Sequence, residues 1–565
     1  MDSMIEIKID LRVVKKDLIS GIHQCSQRGL NYSVKWLSEI NHALKELQLS
    51  PDELPQHVDD TQDELEEFLL AKSYFDLKEY DRSAHFLKDC VKPKPRFLYF
   101  YSRYLSIEKK KLDNMTDTNC PPDPTKNESL KDLCTEMGTD YFDNKLDGYC
   151  IYLYGVVLKK LDLVSKAIEV FMKAVKAEPI LWSAWFELGR IIPDKSAIHS
   201  PDLPDHWIKY FFIAHTYLEQ LCNEESLQMY NTFYSMGLQK STYILSQIAL
   251  GYHNRRKLTD AIEMFQKILE LDPYRLDNLD TYSNLLYVLE KKKELADLAH
   301  KVVNVDKYRV ETCCVIGNYY SLTSDHAKAV LYFRRALKLN PQFLSAWTLM
   351  GHEFMEMKNT NAAIQSYRHA IEINSRDYRA WYGLGQTYEI LKMPNYCLHY
   401  YKQAQQLKPN DSRMVIALGE AYERLDKTEN ALKCYYKACN LGDVEGTALL
   451  KLAKLYDKLS ETENAAAAFT EFCLREDDRE MRAVEEQAEF YNALQYLANY
   501  HLKKGELDDA YTYAYKCMEY EETKEQGKAL LKTIAAKRVE QEPGPARINE
   551  SSTNNIDMVF SPNVL

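Results

Sequence analysis

The chain has 565 residues, 45% of them hydrophobic, with only 18 Gly and 18 Pro; so little turn punctuation disfavours a sheet-rich protein and favours a helical one. A net charge of −12 argues against a nucleic-acid binder, which needs a basic footprint. No apolar run approaches the roughly 18 residues of a membrane span, and the 13 cysteines include no C-x-x-C pair, so buried free thiols in a reducing compartment are expected rather than disulfides or a zinc site.

The N-terminus, MDSMIEIKIDLRVVKK, mixes charged and apolar residues and lacks the apolar stretch of a signal peptide. Residues 14–47 match a two-helix pattern in outline, with Gly21, Ser33, Leu37 and Ile40, and residues 64–97 repeat it loosely with Ala71, Tyr74, Tyr80, Ser83 and Leu87. The stretch 113–129, DNMTDTNCPPDPTKNES, is polar and proline-rich and is expected to be a mobile loop. The pattern resumes at 148–181 with Tyr154, Gly155, Leu158, Ala167, Phe171 and Ala174. SAWFELGR at 183–190 precedes a break, 191–207, that holds Pro193, Pro201 and Pro204. Across it the aromatic slot passes from Trp185 to Phe211, an interval shorter than the one that separates later copies.

From 242 to 476 the spacing is regular, with a period of about 34 residues, which is that of the tetratricopeptide repeat. One slot is always small: Ala249, Ser283, Gly317, Gly351, Gly385, Gly419 and Ala453. Sixteen positions on, another is aromatic in every copy but one: Phe265, Ala299, Phe333, Tyr367, Tyr401, Tyr435 and Phe469. Each unit is two antiparallel helices; small residues sit where the axes approach, and aromatic residues fill the space beside them. A unit alone leaves an apolar face open, so neighbours must stack.

A further break falls at 477–490, a degenerate unit at 491–524 carries Leu497, Ala498, Ala510 and Ala514, and 537–565 lacks helical periodicity and is expected to be a disordered tail. The expected fold is an all-α tetratricopeptide-repeat solenoid of about ten or eleven units, with breaks near 113–129, 191–207 and 477–490. The expected organisation is an N-terminal repeat-like region at 1–180, an irregular helical break at 181–241, a C-terminal superhelix at 242–536 and the tail.

No H-E-x-x-H, G-x-S-x-G or phosphate-binding G-x-x-x-x-G-K-[ST] occurs. GLGQTY at 383–388 lacks the third glycine and the preceding strand of a dinucleotide site, and the stretch after 536 is too short for a catalytic domain. A non-enzymatic protein without cofactor or metal is expected, with its function on the repeat surfaces. In such arrays the first helix of each unit lines a groove. The slots that face it hold Asn284, Asn318, His352, Glu356, Tyr382, Gln386, Glu389, Glu420 and Glu423. Carboxylates and amides beside tyrosine suit an extended peptide carrying Arg, because guanidinium pairs bidentately with carboxylate and stacks on aromatic rings. A repeat adaptor or co-chaperone of another complex is the alternative, but the Lys/Arg clamp of chaperone-type repeats is missing: the corresponding slots hold Cys314, Thr348 and Tyr382. Ser50, Ser200 and Ser561 each precede Pro and are candidate phosphorylation sites.

The block LSAWTLMGHEFMEMKNTNAAIQSYRHAIEINSRDYRAWYGLGQTYEILKMPNYCLHYYKQAQQLKPNDSRM at 344–414 resembles the tetratricopeptide subunits of the anaphase-promoting complex, or cyclosome, and within that group the eighth-subunit family. CSQRGLNYSVKWLSEI at 25–40 and DGYCIYLYGVVLKKLDLVSKAIEVFMKAV at 147–175 are similar to the same family. The resemblance implies a non-catalytic scaffold of an E3 ubiquitin ligase that acts in the cell cycle and mitosis. It also implies a homodimer formed through N-terminal repeats, contacts with other repeat and scaffold subunits, and a groove that receives the Arg-containing C-box peptide of coactivators. The implied location is the nucleus and cytoplasm, with no nucleic-acid or membrane partner.

Overall fold

The computed structural model describes residues 9–49, 64–113, 128–192, 203–443, 446–477, 484–519 and 521–541. Among these residues there are 28 α-helices and no strand, and the fold is an all-α tetratricopeptide-repeat solenoid. No helix among them is long and apolar enough to cross a membrane. The helices divide into two compact units, on either side of Ser366 and Tyr367.

The first unit begins with the hairpin α1 (Leu11–Gln27) and α2 (Asn31–Ala43). It continues through α3 (Leu65–Asp76), α4 (Tyr80–Phe86), α5 (Pro93–Asp113), α6 (Glu128–Phe142), α7 (Gly148–Lys160), α8 (Val164–Ala177) and α9 (Trp182–Ile191). Then come α10 (Ile208–Glu219), α11 (Asn223–Ser235), α12 (Thr242–Asn254), α13 (Leu258–Leu271), α14 (Leu279–Val288), α15 (Lys292–Val305), α16 (Val310–Leu322), α17 (His326–Leu339) and α18 (Leu344–Glu356). The dividing point falls inside α19 (Thr360–Ile373). The second unit holds α20 (Tyr378–Ile390), α21 (Pro394–Leu407), α22 (Ser412–Glu423), α23 (Thr428–Asn440), α24 (Thr447–Lys458), α25 (Thr462–Asp477), α26 (Val484–Lys504), α27 (Leu507–Lys516) and α28 (Glu521–Gln541).

Each tight reversal inside a unit is made in the same way. Arg256, Glu290, Ser324, Lys358, Lys392, Asp426 and Ser460 occupy one slot of successive repeats, and all have φ between 53° and 64°. A single left-handed residue ends the first helix, and the next N–H reaches back to a carbonyl in the last turn. Thus Lys257 N donates to Tyr252 O at 3.0 Å, Asp325 N to Tyr320 O at 2.9 Å and Met393 N to Tyr388 O at 3.0 Å. The turn between units carries a different lock. The indole Nε1 of Trp185, Trp347 and Trp381 donates to the carbonyl six positions earlier, Pro179, Pro341 and Ser375, at 2.8–2.9 Å. The repeated Ala-Trp phrase therefore has a backbone role as well as a packing one, and Trp185 performs it despite the shifted frame.

The small and aromatic slots meet as their spacing predicts. A Cβ on Gly419 would lie 2.7 Å from the Tyr435 ring and one on Gly155 2.7 Å from Phe171, while Gly317 and Gly385 stand closer still to Phe333 and Tyr401. Backbone contact with an aromatic face leaves no room for a methyl group.

The expected irregular stretch at 181–241 contains three helices, α9, α10 and α11, and α9 packs on α10 and α10 on α11. What spacing could not reveal is that the first hairpin docks here. The Trp36 and Trp182 indoles stack at 4.1 Å and 5°, with Phe211 and Tyr243 edge-on to Trp36 at 5.7 and 5.6 Å. Ser33 Oγ lies 2.5 Å from Ser183 Oγ, and Trp207 Nε1 donates to Asp17 at 3.0 Å. Arg275 reaches Glu39 at 3.3 Å, and Lys35 pairs with Asp277. One buried cluster consequently runs from Val14 to Ile248.

The edges of the other expected breaks are helical. α5 extends to Asp113 and α6 starts at Glu128, so only 114–127 of the predicted mobile loop lies outside the described residues. α26 starts at Val484, inside the stretch 477–490. The helix α28 continues to Gln541 and takes in 537–541, which were expected as tail; Thr523 and Ile534 on it are buried, and that packing carries the helix past the point where periodicity fades. Ser50, Ser200 and Ser561 lie outside the described residues.

Candidate peptide-binding face

The residues expected to line a groove fall in both units, and each set forms its own ladder. In the first unit, Asn284 on α14, Asn318 on α16 and His352 on α18 occupy one slot of three successive repeats. Asn318 is buried; its Nδ2 donates to Asn284 Oδ1 at 2.6 Å and Ser283 Oγ at 2.7 Å. That amide ties neighbouring repeats together. His352 and Glu356 are exposed. Between them stands a residue that sequence reasoning passed over. Glu353 is 4% exposed, accepts from Ser321 Oγ at 2.6 Å and pairs with His326 Nδ1 at 2.9 Å. A carboxylate two positions after the packing glycine Gly351, on the buried side of α18, was the available signal.

In the second unit, Tyr382, Gln386 and Glu389 lie on α20 and are half-buried, as are Glu420 and Glu423 on α22. None of the three carboxylates stands alone. Glu389 pairs with Arg424 at 2.5 Å and accepts from Tyr401 OH at 2.6 Å. Glu423 pairs with Lys458 and accepts from Tyr435 OH at 3.1 Å. Glu420 pairs with Lys451 Nζ at 3.0 Å. The first two arrangements are copies of one another, one repeat apart: Glu389 becomes Glu423, Tyr401 becomes Tyr435 and Arg424 becomes Lys458. The tyrosine in each also packs against the glycine described above, Gly385 or Gly419. Its hydroxyl therefore reaches the glutamate only because that slot has no side chain.

Electrostatics follow from these pairs. Burial would raise the Glu423 carboxyl, but the Lys458 ammonium and Tyr435 hydroxyl outweigh it and hold the group below the usual range. Tyr401 and Tyr435 are pushed far above the ordinary tyrosine value, first by burial and then by the neighbouring carboxylates, so both act as neutral donors. The face is a row of part-exposed ion pairs. Such pairs are weak, about 0–1 kcal/mol each, and a ligand cation can exchange with a resident one. Beside Glu389 and Arg424, a surface cavity of about 540 Å³ is lined by Ile390, Lys392, Met393 and Pro394. The partner cations Arg424, Lys451 and Lys458 were not among the expected site residues; the readable clue was that each lies close to one repeat period beyond Glu389, Glu420 or Glu423.

Among the described residues one trio has the geometry to hold a metal ion: His501, Glu506 and Asp509. Its central carboxylate is already engaged, with His501 Nδ1 at 2.6 Å and Lys504 Nζ at 3.1 Å.

Comparison with known proteins points to one family. The family model described as anaphase promoting complex subunit 8 / Cdc23 matches residues 13–249, nearly the span of the first buried cluster. Human cell division cycle protein 23 homolog is 52% identical over 295 residues, covering 52% of this chain and 49% of the relative. Over its first half the chain is similar to the anaphase-promoting complex subunit 8 / Cdc23 family. Another Cdc23-family relative, anaphase-promoting complex subunit 8 of Dictyostelium discoideum, is 38% identical over 380 residues, covering 57% of this chain and 64% of the relative. The chain spans about half the length of the mammalian Cdc23 homologues it matches. General tetratricopeptide models match 310–343, 351–390, 378–411, 412–441 and 447–476. A crystal structure of the APC/C hetero-tetramer Cut9-Hcn1 shares the fold, with a TM-score of 0.55 at 18% identity over 92% of this chain and 96% of that one. The Cdc23 family model thus matches the irregular first half, and general models match the regular repeats.

Proposed function

We propose that this chain is a non-catalytic scaffold subunit of the anaphase-promoting complex, a ubiquitin ligase of the cell cycle, in the nucleus and cytoplasm. The observation that carries the reading is the family match over 13–249, together with a fold of stacked helix pairs. Its partners are other repeat and scaffold subunits and a second copy of itself. The N-terminal region supports the homodimer by leaving Leu77 and Val91 exposed, at 71% and 81%.

Coactivator C-box peptides bind along the first-helix face of the second unit, where Tyr382, Gln386, Glu389, Glu420 and Glu423 stand together; in the first unit Asn284, His352 and Glu356 offer a face of their own, braced by the buried Asn318. The Arg of the peptide takes Glu389 in place of Arg424. Support comes from the half-exposure of these carboxylates and from the apolar cavity beside Glu389.

Affinity purification of the tagged full chain from dividing cells, followed by mass spectrometry, tests the scaffold role: RING and cullin-like subunits co-purify, and their absence overturns it. Light scattering of the pure chain tests the homodimer; the mass is twice 66.0 kDa and falls to the monomer value in L77D/V91D. A monomeric wild type, or a variant that remains dimeric, refutes the assignment.

A further inference from the structure

The strongest surface feature outside the proposed peptide face lies on α17 and the turn before α16. Between Lys291 and Lys338 the chain has ten Lys or Arg against five Asp or Glu, within a protein of net charge −12. The helix α17, HAKAVLYFRRALKL, has no carboxylate. Its inner side is buried through Ala329, Val330, Phe333, Ala336 and Leu337. Leu331, Arg334, Arg335 and Lys338 recur at helical spacing on the other side. Leu331 is 64% exposed, and Tyr308, on the turn between α15 and α16, is 63% exposed beneath the Arg335 guanidinium at 4.6 Å. Arg334 and Lys338 form no ion pair among the described residues, unlike Arg424, Lys451 and Lys458 of the second unit, which each hold a glutamate.

A solvated helix face accounts for exposed Arg and Lys, and Lys338 also suits the C-terminal end of the helix dipole. It does not account for Leu331. The same exposed slot holds Asp297, Gln365, His399 and Lys433 in neighbouring repeats, so a leucine there departs from the rule of the array. An aliphatic side chain and a ring framed by unpaired cations fit a ligand with both apolar side chains and carboxylates. A nucleic-acid backbone would satisfy the cations but has nothing to place on Leu331.

We infer that the outer face of α17, together with Tyr308, is a docking surface for an acidic polypeptide segment that carries aliphatic side chains. Carboxylates pair with Arg334 and Lys338, and an aliphatic side chain covers Leu331 beside Tyr308. The surface belongs to the first unit and uses none of the residues of the peptide face proposed for the second.

The test is fluorescence anisotropy of the full chain with a labelled peptide of four Glu-Glu-Leu-Leu repeats, an all-Glu peptide of the same length and a single-stranded DNA of matching length. The Glu/Leu peptide binds most tightly, and its affinity falls with added salt. R334E/K338E weakens it at least tenfold. L331Q, which installs the residue of the next repeat and so preserves the fold, weakens it at least threefold, with circular dichroism unchanged in both variants. Wild-type chain that does not bind the Glu/Leu peptide overturns the inference. So does equal or tighter binding of all-Glu peptide or DNA, or unchanged affinity in either variant.

Discussion

Trp36 lies flat against Trp182, 4.1 Å between ring centroids, and this stack fastens the first hairpin of the chain to a helix far along it. Trp36 is 5% exposed and has further aromatic neighbours in Phe211 and Tyr243. Replacing it with Ala removes a large buried side chain and leaves a void in the joint, at a cost of about 3–5 kcal/mol. The urea midpoint of W36A, followed by circular dichroism, falls accordingly, and limited proteolysis cuts first in α1–α2. Unchanged protection of the hairpin would rule out the stack as its anchor.

Docking of the hairpin also responds to acid. Burial would raise the Asp277 carboxyl, but Lys35, Arg275 and Arg309 together hold it below its usual value. A depressed carboxylate contributes stability above its unfolded pKa of about 3.9, and that contribution is lost as pH falls through the folded value. Stability therefore drops below about pH 4. In D277N the wild-type advantage at near-neutral pH is gone, and this part of the acid drop flattens. Parallel urea-midpoint profiles for both proteins would contradict the linkage.

The left-handed turn residue is a place to gain stability. A non-glycine residue in this conformation costs about 1–2 kcal/mol, and glycine avoids most of it at an entropic cost of about 0.5–1 kcal/mol. Lys392, at φ 56°, is exposed. Lys392→Gly raises the melting temperature by a degree or two, on the order of a few tenths to 1 kcal/mol. Lys392→Val lowers it, because a β-branched residue fits that region least well.

Gly385 tests the opposite limit. A methyl group there meets the Tyr401 ring, so Gly385→Ala costs about 1–3 kcal/mol by overpacking. Tyr401→Leu relieves part of the clash, and the double variant loses less than the sum of the two singles. Strict additivity of the urea midpoints would show that the two residues do not press on one another.

Resident and incoming cations compete on the proposed peptide face. Arg424→Ala frees Glu389 and tightens binding of an Arg-containing C-box peptide severalfold, whereas Glu389→Gln weakens it by a comparable factor. Titration at low and at physiological salt reads both, and the contrast shrinks as salt screens the charges. Equal affinity for R424A, E389Q and wild type would remove Glu389 from the interaction.

The repeat was legible in the sequence because its determinants are local. Gly385 and Tyr401 stand sixteen positions apart, and the same pairing recurs at Gly317 with Phe333 and Gly419 with Tyr435. Spacing alone therefore predicts both the contact and the fold. The docking of Trp36 on Trp182 was not legible, since two tryptophans that far apart have no period to connect them. The proposed peptide face lay between these cases. The slots of Glu389 and Glu423 could be counted, but their pairing with Arg424 and Lys458 depends on how one repeat stacks on the next. Asn318 looked like a groove residue, and its burial against Ser283 and Asn284 appeared only once both helices were in place.

The joint between the first hairpin and α9–α12 has a consequence for synthesis. The ribosome releases Trp36 about 200 residues before Tyr243 exists to cover it, and at about 5–20 residues per second the wait is on the order of 10–40 s. Throughout that interval α1–α2 is a nascent hairpin with a bare tryptophan face, while the later repeats find their partners within one or two units of emerging. The N-terminal half is therefore the part of the chain with most need of a holding chaperone during translation.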